Sequence, residues 1–254
     1  MQSVLKKIPE VTLLFWVMKI CATTLGETAG DLLAQTLHVG YGASTLLLLG
    51  LFLAVLLGQL VARHYVPALY WAVILATSTA GTTLSDYLDR TLGLGYATGA
   101  GLLVGLLLAV LGLWWASEKS LSVSDIRTRR GELFYWTAIL VSNTLGTALG
   151  DYLADSSGLG FGGGALLIGS LLAAVVGAYY LTGISRVLLF WLAFVLTRPF
   201  GATFGDLLTK PVAKNGLGFG TQGSSLILLL LLVALVAYTT WRPQVPAQTH
   251  SPRR

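Results

Sequence analysis

Residues 15–31 read FWVMKICATTLGETAGD, and the same frame returns at 70–86 (YWAVILATSTAGTTLSD), 135–151 (YWTAILVSNTLGTALGD) and 190–206 (FWLAFVLTRPFGATFGD). In each copy an aromatic–Trp pair is followed by Gly ten residues after the Trp and by Asp fifteen residues after it. Trp16, Trp71, Trp136 and Trp191 stand 55, 65 and 55 residues apart. The chain is four tandem copies of one unit, and the unit sets the fold.

The surrounding composition sets the class. Of 254 residues, 55% are hydrophobic and 11% charged, against roughly 25% charged in soluble domains. Leu46–Leu57, Leu102–Trp115 and Leu226–Tyr238 carry no charge. These features predict an integral membrane protein. The lone Cys21 excludes an internal disulfide and a cysteine metal site. Lys6 and Lys7 before an apolar stretch resemble a signal peptide, but Lys19 and Glu27 interrupt that stretch and it aligns with the later copies.

Each unit holds two apolar segments. The motif segments are 11–33, 68–88, 133–153 and 187–208; the second segments are 43–61, 99–115, 163–181 and 224–240. Each is near the ~20 residues of a spanning helix, and backbone in lipid must satisfy its own hydrogen bonds. The expected fold is all-α, with eight transmembrane helices in a pseudo-symmetric bundle. Gly–aromatic loops (Gly40-Tyr41, Gly95-Tyr96, Gly160-Phe161, Gly218-Phe219) separate the two segments. Residues 1–117 hold repeats one and two, 118–132 a charged cytoplasmic linker, 133–240 repeats three and four, and 241–254 a Pro-rich tail expected to be disordered. Lys6, Lys7, Arg63, Lys119, Arg127, Arg129, Arg130, Arg186, Arg242, Arg253 and Arg254 lie on the side of the termini, against Arg90, Lys210 and Lys214 opposite. That bias predicts cytoplasmic termini, and motif helices that carry their Asp toward the outer end.

The chain resembles a group of bacterial integral membrane proteins built from four tandem copies of a repeat of unknown function, each with two spans and a characteristic Trp. Trp16, Trp71, Trp136 and Trp191 fit that Trp, as do the segments GETAGD and TRPFGATFGD, and the likeness covers about residues 8–240. It implies the architecture and the bacterial inner membrane, and no activity.

At ~100° per residue, positions +8, +12 and +15 from each Trp share one arc of a straight helix. They read Thr24, Thr28, Asp31; Thr79, Thr83, Asp86; Thr144, Ala148, Asp151; and Pro199, Thr203, Asp206. This Thr/Asp face is expected to look inward. The face at +5, +9 and +13 is apolar in every copy and suits lipid or helix packing. Positions +10 and +14 (Gly26/Gly30, Gly81/Ser85, Gly146/Gly150, Gly201/Gly205) form a small-xxx-small stripe for close helix approach. Each Asp is either a cap for a short outer helix or part of a cation-attracting cluster.

The copies differ at Lys19, Glu27, Asn143 and Arg198. Lys19 is near enough to the interface to snorkel. Arg198 lies near mid-membrane, where a lone charge costs roughly 2.5–3.5 kcal/mol, and needs a partner: Glu27 first, Asp31 next. Pro199 is expected to kink or break its helix. Such a break beside a buried charge suits a transport site; the alternative is a structural ion pair between repeats one and four. His38, His64 and His250 have no metal-ligand spacing, no catalytic triad or cofactor motif is visible, and neither an enzyme nor a nucleic-acid binder is expected.

These observations favour a secondary transporter of a small cation. Glu27, Asp31, Asp86, Asn143, Asp151, Arg198, Asp206 and the Thr ladder would line its path, and the oxygen ligands suit hard cations. A cation channel, or a non-transporting scaffold or ligand binder, are the alternatives.

Overall fold

The structure is a computed structural model that describes residues 7–123, 126 and 128–241. The tail from Arg242 onward, and Lys6, Ser124, Asp125 and Arg127, lie outside the described residues, so the expected disorder of the tail does too. The described residues form eight α-helices: α1 (Leu13–Asp31), α2 (Tyr41–Val61), α3 (Pro67–Asp86), α4 (Tyr96–Glu118), α5 (Arg129–Asp151), α6 (Gly160–Leu181), α7 (Arg186–Thr209) and α8 (Thr221–Trp241). No strand occurs among them.

Local chemistry sets the boundaries. The Thr12 hydroxyl accepts from the Phe15 amide and Thr128 from that of Gly131, satisfying first-turn donors. Pro67 opens α3, where its missing N–H is no loss. At their far ends α1, α3 and α5 loosen into π-helical turns, Leu32–Thr36, Tyr87–Thr91 and Tyr152–Ser156. The chain then reverses through Gly40, Gly95 and Gly160, whose φ values of 81°, 73° and 66° suit glycine.

The motif helices form a closed inner ring, in which α1 packs on α3, α3 on α5, α5 on α7 and α7 on α1. The second helix of each repeat packs on the motif helix of the next: α2 on α3, α4 on α5 and α6 on α7. The last one, α8, returns to α1 and closes the circle.

Five helices (α2, α4, α6, α7, α8) are long and apolar enough to cross a membrane by their own composition. The motif helices α1, α3 and α5 are not among them. Their polar residues face protein rather than the periphery: Thr23, Glu27, Thr82, Ser85 and Thr147 are at most 2% exposed. The outer helices carry the apolar exterior, with Leu46, Leu106, Leu166 and Ile227 exposed. Hydropathy of single helices is therefore lowest where the ring hides them best.

Of the kink or break expected at Pro199, the break does not occur; α7 runs through it from Arg186 to Thr209. Gly146 leaves the room this requires, since a Cβ on it would meet Pro199 Cδ at 2.9 Å. The +5/+9/+13 face is not lipid-exposed in α1, where Cys21 and Leu25 are buried and the Cys21 thiol donates to Leu228 O of α8.

Candidate functional site

The seams of the ring are glycine seams. A Cβ on Gly26 would lie 2.3 Å from Ser78 Cβ, one on Gly81 3.1 Å from Asn143 Cβ, one on Gly146 2.5 Å from Arg198 Cβ, and one on Gly201 2.8 Å from Thr23 Cβ. Each +10 glycine thus admits the +7 residue of the next motif helix. One turn on, Gly30, Gly150 and Gly205 admit Thr82, Ala202 and Glu27 in the same way. The absence of side chains lets the backbones close up, and this closeness drives the +7 and +11 residues toward the ring axis.

A column of layers spaced four residues apart results. The first is aromatic: Phe15, Tyr70, Tyr135 and Phe190, with Tyr70 and Tyr135 hydroxyls 2.7 Å apart and Phe15 against Phe190 at 6.5 Å. The next holds Lys19, Ile74, Ile139 and Phe194, all 0% exposed. Then come Thr23, Ser78, Asn143 and Arg198, followed by Glu27, Thr82, Thr147 and Ala202, and then the four Asp residues, all buried.

Arg198 ties the column together. Its guanidinium donates to Glu27 Oε2 at 2.9 Å, to Thr82 Oγ1 at 2.5 Å and to Thr147 Oγ1 at 2.7 Å, with further contacts to the Thr23 and Ser78 carbonyls. One side chain of α7 therefore touches α1, α3 and α5. Asn143 donates to Thr77 Oγ1 at 2.9 Å and to Ser78 Oγ at 3.3 Å. Lys19 does not snorkel: it is fully buried, 3.5 Å from Asn143 Oδ1 and 4.0 Å from the Phe194 ring centre. Inside, an amide oxygen and an aromatic face stand in for water.

Asp31, Asp86 and Asp151 do not cap the π-turns that follow them, since no side-chain cap bond forms there, and Asp206 lies inside α7. The four form two clasped pairs. Lys210 Nζ lies 2.6 Å from Asp31 and 3.0 Å from Asp206, joining repeats one and four. Arg90 lies 2.8 Å from Asp86 and 3.1 Å from Asp151, joining repeats two and three. Asp86 Oδ1 and Asp206 Oδ1 are within ion-pair distance of these cations but outside hydrogen-bond alignment, which leaves acceptor capacity unused. Burial disfavours the Lys210 ammonium, but Asp206 and Asp31 outweigh it and hold its pKa above the ordinary lysine value. Arg90 is held up in the same way by Asp86 and Asp151. One oxygen each of Glu27, Asp31 and Asp206 falls within 4.8 Å of the others, an arrangement that could hold a metal ion.

The Thr ladder lies elsewhere. Thr24, Thr79 and Thr144 donate to carbonyls of their own helices, and so do Thr28, Thr83 and Thr203. Thr28 also accepts from Ser225 of α8, and Thr203 abuts Gly164 of α6. Thr28 thus meets α8 through its hydroxyl and Thr203 meets α6 through its methyl, and of the expected ladder only the Asp joins the four-residue column. The reason is geometric. Packing through four-residue ridges rotates the inward direction by ~40° at each step relative to a straight helix. The sequence arc assumed one unchanging face. It missed Thr82, Thr147, Arg90 and Lys210, although the four-residue spacing of Lys19, Thr23, Glu27 and Asp31 carried the signal.

No curated protein and no solved structure matches the chain. The profile of one repeat family matches at residues 14–65, 69–120, 134–185 and 189–244, one match per structural unit. With four copies spanning most of its length, the chain belongs to the family described as Repeat of Unknown Function (DUF347).

Proposed function

We propose that this protein is a multi-pass secondary transporter of a small cation, with a path along the axis of the motif-helix ring. The observation that carries the reading is the charge inventory of the column. Five carboxylates (Glu27, Asp31, Asp86, Asp151, Asp206) face four tethered cations (Lys19, Arg90, Arg198, Lys210), all contributed by the chain itself. At the formal charges of these nine groups one negative charge is unmatched, and an ion or a proton is its natural complement.

In this reading all eight helices span a bacterial cytoplasmic membrane, with cytoplasmic termini as the basic-residue bias requires. The bilayer and a small cation are the partners; the protein acts neither on nucleic acid nor as an enzyme. Arg90 and Lys210 hold the outer carboxylates in pairs until an entering cation displaces one of them. Glu27 exchanges a proton with that cation, and Arg198 holds Glu27 between cycles. The aromatic layer closes the path toward the termini, as an occluded state needs. Oxygen-only ligands suit Mg²⁺, Mn²⁺ or alkali cations. A channel fits less well, because Lys19 and Arg198 reach across the axis and fill it.

The test is flux into proteoliposomes, with Mg²⁺, Mn²⁺, Na⁺ and K⁺ offered in turn and internal pH recorded. Saturable uptake of one of them, reduced at least about tenfold by Glu27→Gln in protein that still elutes as a single species, is the expected result. Absence of flux for every ion, or uptake unchanged by Glu27→Gln, overturns the reading. Unitary currents in planar bilayers would replace it with the channel.

A further inference from the structure

A large cleft lies at the end of the bundle where α1 begins, and meets the column at Phe190 of the aromatic layer. Its volume is about 1120 Å³, just above the roughly 300–1,000 Å³ usual for small-molecule sites. Its two walls are the start of α1 and the end of α6. Its floor is the α1–α7 seam at Ile20, Ala193 and Thr197.

The walls and the mouth differ in chemistry. Val17 of α1 and Val176 of α6 present apolar surface, at 45% and 57% exposure. The mouth holds Lys7, Arg63, Arg129 and Arg186 against Glu10 and Glu132. Lys7 is already 2.8 Å from Glu132, and the guanidinium of Arg186 is turned onto the Tyr179 ring at 3.9 Å. Arg63 and Arg129 are exposed and come from different repeats, the loop just after α2 and the start of α5. A slot with apolar walls and a net basic mouth fits a molecule with an anionic head and a hydrocarbon tail. Basic pockets between membrane helices recognise acidic lipid headgroups by this division of labour.

We propose that this cleft binds an acidic phospholipid of the leaflet on the amino-terminal side, its phosphate between Arg63 and Arg129 and one acyl chain between Val17 and Val176. The inference rests on the membrane-spanning part of the reading above and not on transport.

Two variants of the full chain test it by native mass spectrometry in detergent, with phosphatidylglycerol and phosphatidylcholine as probes. Arg63→Gln with Arg129→Gln removes the mouth charges. Val17→Trp narrows the slot and leaves every charge in place. The wild-type protein is expected to retain phosphatidylglycerol at least about tenfold better than phosphatidylcholine, and both variants to lose most of that preference. Equal retention of the two lipids by wild type overturns the proposal. So does a preference that survives Val17→Trp, since the attraction would then be a diffuse surface effect. Lipid retention that appears only after residues 1–6 are deleted would assign the slot to the chain's own amino-terminal segment. Failure of the chain to enter detergent micelles would instead remove the membrane reading itself.

Discussion

Arg198 shows how much one residue decides here. It has no counterpart in the other copies, which carry Thr23, Ser78 and Asn143 at that position. Being 0% exposed, it depends on Glu27 and on the hydroxyls of Thr82 and Thr147. Breaking a buried pair from one side costs about 3–5 kcal/mol, while replacing both partners by apolar groups is often neutral. Arg198→Met and Glu27→Leu should therefore each lower the thermal midpoint strongly. The double variant should be less destabilised than the sum of the two, by an interaction of about 1–3 kcal/mol in a double-mutant cycle. Additive losses would mean that the two side chains act separately. The need of Arg198 for an acidic partner is legible in the sequence, and Glu27 is its nearest acceptor of charge. The two hydroxyls were not legible, because they lie on helices whose rotation depends on the seams.

At the scale of the element, the helix glycines divide by what faces them. Those at the seams have no space for a methyl group: Gly26 and Gly146 would bring a Cβ within 2.3 Å and 2.4 Å of a neighbouring side chain. Gly105 of α4 and Gly50 of α2 have nothing within 4 Å. Ala favours a helix interior over Gly by roughly 0.5–1 kcal/mol. Gly105→Ala and Gly50→Ala should then leave the thermal midpoint unchanged or raise it slightly. Gly26→Ala and Gly146→Ala should lower it, by about 1–3 kcal/mol of overpacking. Comparable midpoints for the two sets would remove the seams as the source of close packing. The small-residue stripe marks these positions in the sequence. What it does not mark is the partner stripe, because +7 and +11 hold residues as unlike as Ala202, Asn143 and Arg198.

Across the whole molecule, the notable property is that the chain closes on itself. α8 packs against α1 as α2 does against α3, so the join between repeats four and one resembles the joins between consecutive repeats. The covalent starting point is then of secondary importance. A circular permutant that begins at Arg129 and joins the original ends through a flexible linker should fold to a species of the same hydrodynamic size. A chain ending at Ile184, without α7 and α8, leaves α1 and α5 each without one of its two ring neighbours and should not give a monodisperse species by size-exclusion chromatography. Recovery of a stable three-repeat protein would show that ring closure is not required.

The sequence by itself determined the number of units, the eight helices with ends near those observed, the reversal at the Gly–aromatic loops and the glycine stripe. Each of these follows from composition and spacing within some twenty residues. Only the tertiary structure decided which face of each motif helix is inward. Side-chain-free seams let four backbones approach at the four-residue ridge, and the inward direction then turns along the helix. Lys19 is carried into the interior, Thr28 and Thr203 are set against α8 and α6, and Arg90 and Lys210 are brought over the Asp pairs. Those placements depend on contacts between residues of different repeats, far apart in the chain, which no local pattern encodes.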